Sequence, residues 1–187
     1  CLNDWTFSLV EIGLASGMRR GELLALTWPD IDFRTAVVTV SKSLEQTPED
    51  GLRVKSTKSG ETRKLRLSRG AIATLKFLRD QQAEHRRLFG SDYQDRGLVF
   101  AQPNGDFLDP ALVSQTIVRR MLKAKIADAS FHTLRHTHAS HLLSRGVPLA
   151  AVSARLGHAD PSITARIYSH AIPTDDIRAA EEWDGFV

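Results

Sequence analysis

Two arginines lie in stretches whose other side chains could assist a reaction at a phosphate. Arg19 precedes Glu22 by three residues in SGMRRGELLAL, and His132 precedes Arg135 by three residues in FHTLRHTHASHLL. Each pair therefore lies on one face of a helix. A guanidinium group stays charged near neutral pH, and its planar fork of N–H donors matches phosphate oxygens. Chemistry on a phosphate is one interpretation, and a plain helical ion pair between Arg19 and Glu22 is the other.

A tyrosine and a histidine near the end of the sequence add a possible nucleophile. The stretch LGHADPSITARIYSH contains His158 and, ten residues later, Tyr168, one of two tyrosines in the chain. A phenol has an ordinary pKa of about 10, so it attacks phosphorus only when neighbouring cations and a base help it to ionise. The alternative for Tyr168 is an unreactive aromatic packed in the core.

The histidine-rich stretch and the segment after it also allow two other interpretations. The first is a metal site, since the sequence has four closely spaced histidines, but no carboxylate or cysteine accompanies them: His132, His136, His138 and His141. The second is a helix-turn-helix over 147–170, with Val152 and Leu156 in its core and the helix after Pro161 reading a DNA groove.

Composition is typical of an ordinary globular protein, and the basic residues are clustered. The formal net charge is only +3, yet residues 52–69 hold seven bases against one acid, and residues 119–125 hold four bases and no acid. Clustered bases indicate a polyanionic partner such as nucleic acid, or simply a solvated surface. One cysteine excludes an internal disulfide. No signal peptide or apolar span is visible, so we expect an intracellular protein without a membrane anchor.

Hydrophobic spacing and capping residues predict a mainly helical chain that would position these side chains. Helices are predicted over 4–15, 19–27, 69–88 and 132–144 and after Pro110, Pro148, Pro161 and Pro173. Ser68 is predicted to cap the long helix that follows it. The run AVVTV predicts a strand at 36–40, and LRVKST and TRKLRLS predict a hairpin around the turn at 58–61. The predicted fold class is α+β, mainly helical, with a small antiparallel three-stranded sheet, in one domain over 1–187.

Taken together and in this order, these stretches resemble the boxes of the tyrosine recombinases, the phage integrase family. SGMRRGELLAL, TLRHTHASHLL and LGHADPSITARIYSH match three of them, and the resemblance runs from about residue 5 to residue 170. It implies the catalytic fold of DNA breaking and rejoining enzymes. It also implies the following catalytic set, with Glu22 in a supporting role and Tyr168 as the nucleophile: Arg19, Lys58, His132, Arg135, His158 and Tyr168.

The resemblance further implies a site-specific recombinase that integrates or excises a mobile element through a 3′-phosphotyrosine intermediate, with no metal and no cofactor. The alternatives are a type IB topoisomerase-like enzyme and a DNA-binding regulator that has lost catalysis. Double-stranded DNA is the expected partner in the cytoplasm of a bacterial host cell, with a homo-tetramer on DNA and a monomer when free. The basic residues expected to contact the DNA backbone are Arg53, Lys55, Arg63, Lys64, Arg119, Arg120 and Lys123.

The two ends of the chain carry two further expectations. Family members usually have an N-terminal DNA-binding domain ahead of the catalytic part, and we expect this chain to lack it. Residues 173–187 are an acidic tail, with five acids and one base after Pro173. By resemblance, this tail reaches a neighbouring protomer, and the alternative is that it folds back on its own basic surface.

Overall fold

The computed structural model describes residues 5–47, 49, 51–57 and 62–171. Its helices are α1 (Trp5–Ser16), α2 (Arg20–Leu24), α3 (Arg69–Phe89), α4 (Pro110–Lys123), α5 (Phe131–Ser144), α6 (Leu149–Leu156) and α7 (Pro161–Tyr168). Its strands are β1 (Ile31–Asp32), β2 (Val37–Val40), β3 (Lys42–Thr47), β4 (Gly51–Ser56) and β5 (Arg63–Arg66). Single 3-10 turns cover Trp28–Asp30, Gly90–Asp92 and Ser169–Ala171. The predicted α+β class is confirmed.

Helix starts follow local sequence, as predicted. The side chains of Ser68, Asp109 and Asp160 each accept a hydrogen bond from a backbone N–H two or three residues ahead, at 2.7–3.2 Å. Pro110 and Pro161 occupy the first positions of α4 and α7, where a missing N–H costs nothing. These caps satisfy donors that a helix leaves unpaired at its start. The helix predicted after Pro173 lies outside the described residues.

The second helix is shorter than predicted because a tertiary contact takes the chain out of it. Residues 19–27 were expected to be helical, whereas α2 ends at Leu24. Thr27 forms an antiparallel bridge with Leu98, and the N–H of Val99 donates to the carbonyl oxygen of Leu26 at 2.8 Å. The apolar segment GLVF at 97–100 thus competes successfully for the backbone after Leu24.

The strands pair differently from the predicted hairpin. The three-stranded antiparallel sheet has the order β1-β2-β5, and β3 and β4 form a separate two-stranded sheet. The prediction that LRVKST pairs with TRKLRLS is therefore wrong. Val38 on β2 lies opposite Leu65 on β5, and both side chains are buried, whereas β4 is largely exposed. Burying apolar area favours the β2–β5 pair over one with an exposed strand.

The buried apolar side chains form two clusters. The larger cluster is built from α1 to α4 and the three-stranded sheet and includes Leu9, Ile12 and Leu75. The smaller one lies between α5, α6 and α7 and contains Ala139, Leu143, Val152, Leu156 and Tyr168. Helix α1 packs on α5 and joins the two clusters. None of the helices in the described part of the chain has the length and apolar character needed to cross a bilayer.

Candidate active site

Arg19 is held at the start of α2 by Glu22. Arg19 is the N-cap residue, and its backbone N–H donates to Glu22 Oε2 at 2.7 Å. Its side-chain Nη1 donates to Glu22 Oε1 at 3.0 Å, and Nη2 lies 3.4 Å from the carbonyl oxygen of Gly157. The predicted Arg19–Glu22 ion pair is therefore present, although Arg19 precedes the helix rather than lying on its face.

Glu22 is a buried carboxylate that two arginines share. Its side chain is 2% exposed, and Arg63 donates to both of its oxygens, from Nη1 at 3.0 Å and from Nη2 at 2.6 Å. Burial by itself would raise the pKa of Glu22. The hydrogen bonds and charges of Arg63, and then of Arg19, outweigh burial and hold the pKa of Glu22 below its usual value of 4.5. Glu22 therefore remains ionised at neutral pH.

Arg135 is buried and held by three acceptors that are distant in sequence. Its Nη1 donates to the carbonyl oxygen of Gly17 at 2.8 Å, and its Nη2 donates to that of Leu156 at 2.8 Å. The same Nη2 lies 3.0 Å from His158 Nε2. Burial, followed by the positive charge of Arg19, lowers the pKa of Arg135 to about 10. The group remains a cation at neutral pH, and its position is fixed in advance.

His158 is neutral, and its contacts determine which ring nitrogen carries the proton. Because Arg135 can only donate, His158 Nε2 accepts, and the proton lies on Nδ1, which donates to Thr164 Oγ1 at 2.7 Å. Thr164 is fully buried on α7. Burial and the nearby charge of Arg135 lower the pKa of His158 to about 4. In this state His158 Nε2 accepts a hydrogen bond from Arg135. A phosphate oxygen that bound the same nitrogen of Arg135 would have to replace His158 Nε2 as the acceptor.

A cleft brings three of the predicted residues together. It has a volume of about 460 Å³, and Arg19, His132 and Arg135 line it together with the α4 residues Ser114 and Val118. His132 is exposed at the first turn of α5. Two guanidinium groups, one at the start of α2 and one on α5, therefore face one open space large enough for a phosphodiester.

Tyr168 is buried at the end of α7 beside the histidines of α5. It is 2% exposed, and its ring centroid lies 5.3 Å from that of His136, which in turn lies 5.0 Å from that of His132. Burial raises the pKa of Tyr168, and the charge of Arg135 lowers it only in part. The phenol is therefore protonated at neutral pH, and an attack through its oxygen requires a group that accepts the proton.

The family model described as Phage integrase family matches residues 1–174. The chain belongs to the phage integrase family. It is 35% identical to a "Tyrosine recombinase XerC-like" protein of Caldanaerobacter subterraneus, over 93% of this chain and 48% of that protein. It is 28% identical to the integrase of Staphylococcus phage L54a, over 86% of this chain and 46% of that protein. The chain thus spans about half the length of the curated relatives it matches.

Solved structures share the fold. The integrase of transposon Tn1549 in complex with transposon right end DNA superposes with a TM-score of 0.76 at 21% identity. The match covers 97% of this chain and 59% of that one. The catalytic domain of bacteriophage HP1 integrase gives a TM-score of 0.58 at 21% identity, over 93% of this chain and 79% of that one. The predicted phage integrase fold is confirmed.

A hydrogen-bonded pair that the sequence did not predict, Arg155 and His138, supports the helix that precedes His158. Arg155 donates from Nε to His138 Nε2 and from Nη2 to the carbonyl oxygens of Ala15 and Arg66, each at 3.0 Å. His138 Nδ1 donates to the carbonyl oxygen of Leu14 at 2.7 Å, and burial lowers the pKa of His138 to about 4. The arrangement ties α6 to α1, α5 and β5. His138 lies four residues after the buried Leu134, and that spacing was an available signal.

The residues predicted to contact DNA differ in where they lie. Arg53 and Lys55 are exposed on β4, and both form ion pairs with Glu45. Four others are exposed on β5 or α4: Lys64, Arg119, Arg120 and Lys123. Arg63 is placed differently from the expectation, since its side chain is 12% exposed and both of its terminal nitrogens bind Glu22. Its position two residues before Leu65, on the apolar face of β5, was the signal for a buried ion pair.

Two further predictions about this site concern the lysine of the catalytic set and a metal ion. Lys58, the predicted lysine of the catalytic set, lies outside the described residues. Within the described ranges, no three histidine, cysteine or acidic side chains come together as the ligands of a metal ion would.

Proposed function

We propose that this chain is the catalytic domain of a site-specific DNA recombinase of the integrase type. It would cleave and rejoin DNA strands through a covalent 3′-phosphotyrosine bond to Tyr168, and this reaction would integrate or excise a mobile element. Membership of the phage integrase family supports the reaction class. Support for the individual residues comes from the geometry of the cleft.

The observation that carries the proposal is the convergence of Arg19, Arg135 and His158 at one turn. Arg135 donates to the carbonyl oxygen of Leu156, and Arg19 reaches that of Gly157, the adjacent residue. His158 follows directly and contacts Arg135. Two guanidinium groups thus lie beside the space in which charge would build on the non-bridging oxygens, and His158, whose Nε2 accepts from Arg135, helps to position the second of them. Guanidinium donors fixed in this way commonly contribute about 10²–10³ in rate each.

The reaction balances with the side chains of the chain itself. The Tyr168 oxygen attacks phosphorus and forms the phosphotyrosine bond while the bond to the 5′ oxygen breaks. The phenolic proton passes to His132, which lies in the cleft, and the departing oxygen takes a proton from Lys58, the residue the resemblance assigns to this step. Attack by a 5′-hydroxyl then reverses each transfer and releases the phenol. The energy of the original linkage is retained throughout.

Binding to DNA would rest on exposed bases around the cleft. We assign Arg53, Lys55, Lys64 and the α4 residues Arg119, Arg120 and Lys123 to phosphate contacts, which position the duplex without reading its sequence. We further propose a homo-tetramer on DNA, a monomer when free, and action in the cytoplasm of a bacterial cell. Analytical ultracentrifugation with and without DNA measures the two assembly states.

A suicide substrate tests the nucleophile. Nicked, end-labelled duplexes, tiled across the DNA that flanks the coding region, are incubated with the protein in chelator. We expect a covalent protein–DNA adduct that Tyr168→Phe abolishes and that Tyr93→Phe, which removes the other tyrosine, leaves in place. An adduct that persists in Tyr168→Phe would assign the reaction to another residue. An adduct that requires a metal would contradict the proposed chemistry.

A further inference from the structure

The sharing of Glu22 between two arginines is unequal. Arg63 donates two parallel hydrogen bonds to the carboxylate, from Nη1 to Oε1 at 3.0 Å and from Nη2 to Oε2 at 2.6 Å. The Arg19 side chain donates a single hydrogen bond to this carboxylate, from Nη1 to Oε1 at 3.0 Å. A fork-to-fork pair is the stronger and more directional of the two arrangements. Glu22 is therefore committed mainly to Arg63.

This inequality leaves most of the Arg19 guanidinium available. Its second terminal nitrogen has only a 3.4 Å contact, with the carbonyl oxygen of Gly157. The Arg19 side chain is 38% exposed, whereas that of Arg63 is 12% exposed. Arg19 is thus anchored at one end and open to the cleft at the other. An anion entering the cleft could bind it without first breaking a bidentate ion pair.

Arg63 also supports the turn that carries His158. Its Nε donates to the carbonyl oxygen of Arg155 at 3.0 Å, at the end of α6. Gly157 lies directly against it, because a Cβ built on Gly157 would be 3.0–3.1 Å from atoms of the Arg63 side chain. Gly157 has φ +68°, which favours glycine. One largely buried guanidinium therefore contacts both the carboxylate that holds Arg19 and the turn that precedes His158.

We propose that Arg63 is a positioning residue for Arg19 and for the turn that precedes His158. By occupying both oxygens of Glu22, it prevents that carboxylate from pairing with both terminal nitrogens of Arg19 and keeps the second of them open to a phosphate. This inference rests on the proposed function for its consequence in catalysis, and on geometry alone for its effect on Arg19. It replaces the expectation that Arg63 contacts the DNA backbone.

The first test reads the state of Arg19 without any reaction. In Arg63→Met, Glu22 loses its bidentate partner, and Arg19 is the nearest remaining cation. We expect the side-chain ¹⁵N–¹H NMR signals of Arg19 to shift and the rotation of its guanidinium group to slow as it pairs at both ends. Arg87→Met, which breaks an exposed Arg–Glu pair, is the matched control. Unchanged Arg19 signals in a folded Arg63→Met protein would overturn the proposal.

The second test measures cleavage and includes a suppressor. Misplacement of a group at a reacting centre by about 1 Å can cost about 10² in rate. We therefore expect single-turnover cleavage by Arg63→Met to fall by about 10²-fold, with DNA affinity within about threefold of wild type. Adding Glu22→Gln to Arg63→Met removes the charge that captures Arg19 and should recover about tenfold. A double variant slower than Arg63→Met would contradict the inference, because a purely structural role predicts further loss.

The two tests separate this inference from the proposed function. If the wild-type protein forms no adduct, the recombinase proposal fails, and the NMR signals of Arg19 still decide whether Arg63 controls it. If Arg63→Met does not fold, Arg63→Lys takes its place, because lysine keeps the charge but cannot span both oxygens of Glu22. We expect Arg63→Lys to shift the Arg19 signals in the same direction by a smaller amount, and no shift would overturn the inference.

Discussion

Glu22→Gln removes one charge from a buried network and leaves its shape almost unchanged. The carboxylate accepts four hydrogen bonds, two from Arg63 and two from Arg19, one of which comes from the Arg19 backbone. Glutamine keeps one acceptor oxygen and places an NH₂ group against a guanidinium. Both arginines then lose their counter-ion, and Arg63 has little access to water.

The structure sets the size of the expected loss. Removing one partner of a buried ion pair costs roughly 3–5 kcal/mol. Since Arg19 is partly exposed and glutamine retains an acceptor, we expect a loss of about 3 kcal/mol in the free energy of unfolding. For a domain of this size, that loss lowers Tm by roughly 6–12 °C. Glu84→Gln, which breaks the exposed pair with Arg87, is the control and should change stability by less than about 0.5 kcal/mol.

The lowered pKa of Glu22 determines how the stability difference between wild type and Glu22→Gln changes with pH. The pKa of Glu22 is lower in the folded protein than its usual value of 4.5. The contribution of its charge to stability is therefore fully present above that value and is lost as pH falls through the folded pKa. The gap between wild type and Glu22→Gln should be largest near neutral pH and shrink in acid.

Urea unfolding followed by far-UV circular dichroism across this pH range measures the gap. Equal stability of the two proteins at neutral pH would refute the argument. A gap that stays constant in acid, where the wild type is still folded, would refute it as well.

Two further predictions concern the turn at Gly157 and the residue after it. Gly157→Ala strains a positive φ and meets Arg63, whereas Gly146→Ala strains a positive φ with no described atom within 4 Å of the new Cβ. We expect both variants to lose about 1–2 kcal/mol from strain and Gly157→Ala to lose more, as measured by urea unfolding. His158, with a pKa lowered to about 4, should stay neutral above pH 5 in the free protein, with its proton on Nδ1. Its ¹⁵N shifts should report that tautomer, and Thr164→Val should reduce the preference. Titration of His158 near its usual pKa would contradict the contacts described.

Much of the local structure was predictable because its causes lie within a few residues. Ser68, Asp109 and Asp160 cap the helices that follow them. Pro110 and Pro161 lie where a helix accepts proline, and Gly157 ends α6 in a left-handed conformation. These features depend on side-chain chemistry and backbone sterics at fixed offsets. The predicted fold class and family were also confirmed. Both were inferred from short stretches with fixed internal spacing, so they too depended on local sequence.

Strand pairing and the internal order of the site depended on contacts between distant residues. Alternation along β5 predicted an apolar face but could not indicate that β5 pairs with β2 rather than with β4. Arg135 contacts a carbonyl 118 residues away, and Arg63 contacts a carboxylate 41 residues away. The sequence alone determined which side chains were suited to hold a phosphate. Only the tertiary structure decided which arginine is buried to hold a carboxylate and which stays open, because burial and the sharing of one negative charge arise from packing.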